Sequence, residues 1–393
     1  MNKRISQLKN ELRSILVDNI LPYWIKNMPD GVNGGFYGRI TGNEELKPEA
    51  DKGAILNARI LWTFSAAYRL LKDETYLNIA TRAKRIIIDC FYDKEFGGIY
   101  WSLDYKNNPL DTKKQIYAIG FAIYGLSEYH RATGDAEALT YAIHLFESIE
   151  AHSFDLVKNG YCEALTREWK EIADMRLSEK DANERKTMNT HLHILEPYTN
   201  LYRVWKDPRL ESKLRNLIYL FTDKILDKES GHLRLFFDDD WVCKSNIVSY
   251  GHDIEASWLL YEAAWGLGDL ELLDSLAPVV KQIARAASEG FTYGAGMIYE
   301  KDSGTGHVDG DRHWWAQAEA VVGYYNLYRN FGDKEALKKV IDCLNFIKLH
   351  IVDYNNGEWF WSLRSDGTIN RDDDKAGFWK CPYHNGRMCM EIM

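Results

Sequence analysis

The chain has 393 residues, of which 46% are hydrophobic and 27% are charged, and its formal net charge at pH 7 is −9. This composition is typical of a globular protein, and the negative charge argues against nucleic acid or an anionic membrane surface as a partner. The chain is rich in aromatic residues, with 13 Trp, 24 Tyr and 15 Phe, and aromatic faces suit both large cores and pyranose rings.

The N-terminal segment MNKRISQLKNELRSIL mixes charged residues with isolated apolar ones, so we expect no signal peptide. No segment reaches the roughly 18 consecutive apolar residues of a transmembrane helix. The six cysteines are scattered without a C-x-x-C pair, which favours reduced thiols in a cytoplasmic protein. The oligomeric state stays open, with a monomer favoured.

A glycine followed by aromatic or apolar residues recurs along the chain at a nearly constant interval. The intervals range from 61 to 71 residues, and such self-similarity is the signature of a repeated structural unit. Each mark predicts a short strand or turn. The six marks are Gly35, Gly98, Gly160, Gly231, Gly296 and Gly357.

The residues between consecutive marks are typical of a pair of helices. The first helix of each pair is apolar on most sides and the second is amphipathic, so we expect the first to be buried. Three apolar helices end in Gly-Asp, at Gly134, Gly268 and Gly332, where glycine would cap one helix and aspartate would begin the next. The predicted helices cover residues 4–24, 52–72, 75–91, 113–135, 136–152, 185–207, 209–226, 249–269, 270–287, 311–333, 334–351 and 381–392.

This pattern predicts an all-α fold, an (α/α)6 barrel of twelve helices in two concentric rings, with short strands or turns at one end. The apolar helices would form the inner ring and the amphipathic helices the outer ring. No linker-like or low-complexity stretch divides the chain, so we expect a single catalytic domain over residues 1–393. The irregular stretch 159–183 is predicted to be a loop over one end of the barrel.

In such a barrel the N-terminal ends of the inner helices face one central mouth, where polar and aromatic residues are candidates for a site. Any one of these residues could be structural, but their recurrence on six inner helices favours a site. Asn189 precedes His193 by four residues and could orient it, whereas His191 faces elsewhere and is expected to be structural. The candidates, helix by helix, are Arg59, Tyr117, Asn189, His193, His252, Glu255, Trp315, Glu319, Trp379 and His384.

Histidine is the prominent titratable residue in this set, and imidazoles exchange protons near neutral pH. Several histidines with an arginine suit proton transfer beside a carbonyl, because the arginine can stabilise the resulting oxyanion. No nucleotide-binding or acyl-transfer motif is present.

Two other kinds of site stay open at this point. A glycoside hydrolase could use Glu255 and Glu319 as its two carboxylates. A metal site could use three histidines with Glu255, although their spacing matches no metal motif and we expect no metal. The three histidines are His193, His252 and His384.

Five segments resemble the N-acylglucosamine 2-epimerase superfamily and, within it, the cellobiose 2-epimerases. The segments are KGAILNARILW, KTMNTHLHILE, SYGHDIEASWLL, WWAQAEAVVG and WKCPYHNGRMC, and the resemblance runs nearly end to end. It implies an (α/α)6 barrel that needs no cofactor and epimerises C2 of the reducing-end glucose in β-1,4-linked disaccharides such as cellobiose and lactose. Ring opening, removal of the C2 proton and reprotonation of a cis-enediolate are the implied steps.

The resemblance also implies roles for the candidate residues, motif by motif. His252 and His384 would be the acid/base pair, Arg59 would stabilise the enediolate, and Glu255 would orient or polarise near His252. The substrate-binding residues would be Tyr117, Asn189, His193, Trp315, Glu319 and Trp379. The expected partner is a small-molecule reducing disaccharide.

Three alternatives to this function remain. The protein could be an N-acylglucosamine 2-epimerase or an aldose–ketose isomerase acting on monosaccharides, since an enediolate reprotonated at C1 gives a ketose. It could be a glycoside hydrolase on the same barrel. It could also be a binding protein without catalytic activity, although nothing in the sequence marks a binding face.

Overall fold

The computed structural model describes residues 2–393, with side chains from Arg4 onward. Within these residues, twelve helices form two concentric rings, which confirms the predicted (α/α)6 barrel. The inner ring consists of α2 Ala54–Leu71, α4 Ile116–Thr133, α6 Met188–Val204, α8 Tyr250–Leu267, α10 Trp314–Phe331 and α12 Tyr383–Ile392. Each inner helix packs against the next, and α12 contacts both α10 and α2, which closes the ring.

Each outer helix packs against an inner one. Two outer helices are α-helical throughout, α5 Ala136–His152 and α9 Leu270–Ala287. The others contain a π-helical turn: α1 runs Asn2–Ser14, Ile15–Ile20 and Leu21–Asn27, α3 runs Glu74–Ile86 and Ile87–Phe91, α7 runs Pro208–Leu220 and Phe221–Ile225, and α11 runs Lys334–Phe346 and Ile347–Ile351.

Short antiparallel strands gather where the inner helices begin, as predicted. In four units, the strand before an inner helix pairs with a strand that follows the next outer helix, and these pairs are β1 Lys52–Gly53 with β2 Ser102–Leu103, β3 Lys114–Gln115 with β4 Ala164–Leu165, β5 Lys186–Thr187 with β6 Phe236–Phe237, and β12 Arg312–His313 with β13 Ser362–Leu363. Before α8, β7 Ile247–Ser249 pairs with β10 Glu300–Asp302 of the loop that precedes α10. Within that loop, β10 also pairs with β11 Val308–Asp309, and β8 Phe291–Thr292 pairs with β9 Gly296–Met297. All these pairings except the local hairpins β8–β9 and β10–β11 link neighbouring helix pairs around the mouth of the barrel.

The helix junctions follow the chemistry that the sequence predicted. Gly134, Gly268 and Gly332 end α4, α8 and α10 with φ of 78°, 72° and 70°, a left-handed conformation that glycine adopts without strain. The aspartate after each glycine accepts hydrogen bonds from backbone N–H groups in the first turn of the outer helix.

The irregular stretch 159–183 lies at the mouth end of the barrel. The side chain of Gln115, the residue before α4, donates hydrogen bonds to the backbone carbonyls of Met175 and Arg176 at 3.0 and 2.8 Å. That one domain spans residues 1–393 stays a prediction, which the closed ring supports. In the described chain, no helix is both long enough and apolar enough to cross a bilayer.

Buried lysine–aspartate pairs hold the loops at the mouth, and the sequence analysis did not predict them. Each aspartate lies shortly before a glycine mark, and each lysine lies near the start of an inner helix. The lysines are at most 1% exposed. The Nζ–Oδ distances are 2.9 Å for Lys52–Asp30, 2.9 Å for Lys114–Asp93, 3.1 Å for Lys186–Asp155 and 2.6 Å for Lys375–Asp353.

We predict that Lys52→Met lowers the free energy of unfolding by about 3–5 kcal/mol, because Asp30 would remain as a buried charge without its cation. Lys47→Met is the matched control, since Lys47 pairs with Glu45 at the surface and such pairs contribute about 1 kcal/mol or less. Urea unfolding followed by tryptophan fluorescence measures both variants. Equal losses in the two variants would contradict the importance of the buried pair.

Candidate active site

The last inner helix, α12, carries two basic side chains into the centre of the barrel. His384 is 5% exposed, and its Nδ1 lies 2.7 Å from Oε1 of Glu319 on α10. Arg387 is fully buried, and its Nη2 donates to Oε1 of both Glu255 and Glu319 at 2.7 Å. Its Nη1 donates to Glu196 on α6. One guanidinium therefore joins carboxylates from three inner helices.

His193 on α6 takes its orientation from the same network. Its Nδ1 lies 3.0 Å from Oε2 of Glu196, and the hydroxyl of Tyr383 also donates to Glu196. The partner that orients His193 is therefore Glu196. The four-residue spacing had suggested Asn189 for this role. Asn189 is half-buried, and its Oδ1 has no hydrogen-bond partner among the described residues.

His252, in the first turn of α8, is held by a contact outside the group of carboxylates that Arg387 binds. Its Nδ1 lies 2.8 Å from Oγ of Ser249, and its ring is partly exposed. The expected pairing of His252 with Glu255 is not formed, because the carboxylate of Glu255 turns to Arg387. Side chains three positions apart on a helix differ by about 60° in direction, so a buried cation on one side can draw Glu255 away from His252.

Aromatic rings line the space beside the histidines. The ring centroid of Trp315 lies 4.7 Å from that of His252 and 5.6 Å from that of His384. Trp379 precedes α12, as the predicted helix 381–392 implies, and the centroid of its half-buried ring lies 6.1 Å from that of Tyr117. Apolar faces beside imidazoles suit the mixed apolar and hydroxyl surface of a sugar.

Arg59 on α2 provides a positive charge that no carboxylate neutralises within the described residues. Its Nη2 donates to the hydroxyl of Tyr117 at 2.7 Å, and its guanidinium lies 4.2 Å from the ring centroid of Phe121. Its Nη1 contacts Sγ of Cys381 at 3.7 Å. Because Arg59 is only 3% exposed, an anion formed beside it would be strongly stabilised.

Burial keeps the three histidines neutral. It lowers the pKa of His193 and His384, and the positive charge of Arg59 lowers both further. Burial also lowers the pKa of His252, although its partial exposure limits the effect. Each Nδ1 is engaged with a neighbour, and no hydrogen bond to Nε2 of these rings occurs in the described chain. Neutral imidazoles with a free Nε2 can accept protons.

The two carboxylates at the centre differ in their partners. Burial raises the pKa of Glu255 to about 8, and it raises the pKa of Glu319, which the charge of Glu255 raises further. Glu319 accepts hydrogen bonds from His384, Arg387 and, at 3.1 Å, Nε1 of Trp258. Oε2 of Glu255 has no partner among the described residues. Glu319 thus accepts three hydrogen bonds and Glu255 only one, and hydrogen bonds to a carboxylate favour its ionised form.

Glu255, Glu319 and His384 form the one three-residue group in the described chain whose ligand atoms lie close enough, within 4.8 Å, to hold a metal ion. The Oε1 atoms of both glutamates already accept hydrogen bonds from Arg387, and Nδ1 of His384 already faces Glu319. A guanidinium thus supplies the positive charge that a metal would bring, so the arrangement does not favour a metal ion.

The sequence analysis missed Glu196 and did not include Arg387 among the site residues. Glu196 follows His193 by three residues, a spacing that places both on one helix face. Arg387 is a lone arginine in a buried helix, which requires a buried partner. His191 is held by the carbonyl of Thr187 and the N–H of Tyr161 at 2.6 and 3.0 Å, which agrees with its expected structural role.

Comparison with known proteins places these residues in a family. The family model described as N-acylglucosamine 2-epimerase matches residues 35–386. The cellobiose 2-epimerase of Bacteroides fragilis is 73% identical and that of Ruminococcus albus is 40% identical, each with 98% of both chains covered. The structure of cellobiose 2-epimerase from Bacillus thermoamylovorans superposes with a TM-score of 0.94 at 42% identity, covering 100% of this chain and 99% of that one. The chain belongs to the N-acylglucosamine 2-epimerase family.

Proposed function

We propose that this protein epimerises C2 of the reducing-end glucose of β-1,4-linked disaccharides, converting cellobiose to glucosyl-mannose and lactose to epilactose. The names of its full-length relatives support this activity. The structural observation that carries the proposal is the position of two neutral histidines, His252 and His384, beside the ring of Trp315. Inversion at a carbon needs one group to remove a proton from one face and another to return it to the opposite face.

The proposed reaction begins with opening of the sugar ring, which exposes an aldehyde at C1. Nε2 of one histidine takes the C2 proton, and the electron pair of the broken C–H bond forms the C1=C2 double bond of an enediolate. The negative charge that develops on O1 is stabilised by Arg59, whose guanidinium has no carboxylate partner in the described chain. The second histidine acts in its protonated form: it takes a proton from solvent on Nε2, delivers that proton to the other face of C2 and returns to the neutral form.

The substrate-binding side chains would come from three inner helices, α4, α6 and α10, and from the loop before α12. We assign Tyr117, Trp315 and Trp379 to contacts with the sugar, and His193 with Asn189 to its oxygens. Glu319 acts behind His384 rather than on the sugar, because its side chain is 0% exposed and both its oxygens already accept hydrogen bonds.

The arrangement of carboxylates does not favour a glycoside hydrolase. Hydrolysis usually needs two carboxyl groups that flank the scissile bond. Glu255 and Glu319 are fully buried and bind the same nitrogen, Nη2 of Arg387, so both lie on one side of the cavity. An isomerase activity uses the same enediolate and differs only in protonation at C1 instead of C2.

We further propose that the reaction takes place in the cytoplasm on a free disaccharide. The six cysteines are free thiols, which is typical of a reducing compartment.

Proton NMR of cellobiose incubated with the protein in D2O tests the activity directly. We expect a glucosyl-mannose product with deuterium at C2, because the proton returned to C2 comes from a histidine that has exchanged with solvent. A ketose product would identify the isomerase alternative. Free glucose without an epimer would indicate hydrolysis and would contradict the proposal.

Substitution of the acid/base pair gives the second test. We predict that His252→Ala and His384→Ala each lower kcat with cellobiose by about 100-fold or more, the usual contribution of a general acid or base. KM should change little, since these groups act mainly in the transition state. His144→Ala is the matched control, because His144 is exposed on α5. Wild-type kcat in either site variant would remove that histidine from the mechanism.

Chelation tests whether a metal takes part. We predict that dialysis against EDTA leaves both kcat and the melting temperature unchanged, because Arg387 already binds the carboxylates that a metal would use. Measurement after adding back Zn²⁺, Mn²⁺ or Mg²⁺ provides the comparison. Loss of activity with EDTA and recovery with one of these ions would establish a metal site instead.

A further inference from the structure

Arg387 is the cation that contacts all the carboxylates at the centre of the described barrel. Its side chain is 0% exposed, and its hydrogen bonds are to Glu196, Tyr383, Glu255 and Glu319. Two of these carboxylates, Glu196 and Glu319, also hold Nδ1 of a histidine. Arg387 is therefore connected to the imidazoles of His193 and His384 through one carboxylate each.

We propose that Arg387 is a positioning residue that keeps Glu319 ionised and so holds His384 in the tautomer whose Nε2 can accept the C2 proton. This inference rests on the proposed epimerase function. It extends to His193, which Glu196 holds in the same way. Arg387 itself would touch neither the substrate nor the reacting atoms.

The tautomer of His384 follows from the charge of Glu319. An ionised carboxylate only accepts hydrogen bonds, so Nδ1 of His384 must carry the hydrogen and Nε2 keeps its lone pair. A protonated Glu319 could donate to Nδ1 instead. The ring hydrogen would then sit on Nε2, which could no longer take a proton from carbon.

The charge of Glu319 in turn depends on Arg387. Glu319 and Glu255 are both fully buried, and burial together with a like charge favours the protonated forms. A guanidinium bonded to both carboxylates favours ionisation. The charge of Arg59 also lowers the pKa of both carboxyls, but Arg59 is bonded to Tyr117 and forms no salt bridge with the described carboxylates.

The pH dependence of kcat distinguishes this role from a purely structural one. In Arg387→Met the pKa of Glu319 should rise, so the acidic limb of the kcat profile should move to higher pH by about one pH unit or more. At a fixed pH on that limb, kcat should then fall by about tenfold relative to the plateau for each pH unit that the limb moves, while KM changes little. Arg387→Lys retains the charge and should keep the wild-type limb, although one ammonium cannot bridge three carboxylates and kcat should fall at every pH.

In Glu196→Gln the acidic limb of the kcat profile should move in the direction opposite to that in Arg387→Met. The substitution Glu196→Gln removes one negative charge from the network while the amide oxygen can still accept the hydrogen of His193, so the acidic limb should move to lower pH. If Arg387→Met does not fold, this variant decides the question. An unmoved or raised limb in Glu196→Gln would overturn the proposal.

Lys52→Met is the control for loss of a buried cation elsewhere, since Lys52 pairs with Asp30 at the mouth. It should lower stability and leave the acidic limb unchanged. An equal displacement of the limb in Lys52→Met and Arg387→Met would overturn the proposal, as would a folded Arg387→Met with an unmoved limb.

A second readout is independent of catalysis. The ¹⁵N chemical shifts of the imidazole of His384 report which ring nitrogen carries the hydrogen, and we expect Nδ1–H in the wild type and a larger share of Nε2–H in Arg387→Met at neutral pH. The same tautomer in both proteins would overturn the proposal. If the wild type does not epimerise cellobiose, the proposed function fails, whereas the imidazole spectra still test the effect of Arg387 on His384.

Discussion

The centre of this barrel depends on the ion pairs between one buried guanidinium, that of Arg387, and carboxylates from three inner helices. Removing a charge from water costs several kcal/mol unless a partner compensates it. The network therefore tolerates little rearrangement, because a shift of any of these helices would leave a charge unpaired. The imidazoles of His193 and His384 are hydrogen-bonded to carboxylates of this network, so the network also fixes their orientation.

The mouth of the barrel uses the same kind of interaction with a different cation. Buried lysines bind aspartates of the loops between helix pairs, and short strands lie beside them. Together these contacts fix where α2, α4, α6 and α12 begin. Residues in the first turns, such as His252, Trp315 and His384, therefore lie side by side, and a six-unit repeat acquires one asymmetric site.

The helical periodicity was enough to predict all twelve helices, the two rings and the Gly-Asp junctions, because these features depend on local sequence. Side-chain partners could not be predicted as well. Asn189 and Glu196 both share a helix face with His193, and only the side-chain contacts at the barrel centre show that Glu196, which also binds Arg387 of α12, is the partner. The pairing of Glu255 likewise depends on Arg387, which lies 132 residues away along the chain.

The closure of the ring by α12 has a consequence for how the protein is made. Five inner helices leave the ribosome before Arg387 is added, and domains commonly begin to fold during synthesis. Until then the three carboxylates lack their counter-charge and must stay hydrated. Mutual repulsion would hold the five-helix intermediate open at its centre. The arrival of α12 with its arginine would thus couple closure of the ring to expulsion of water, and the same event would assemble the acid/base residues.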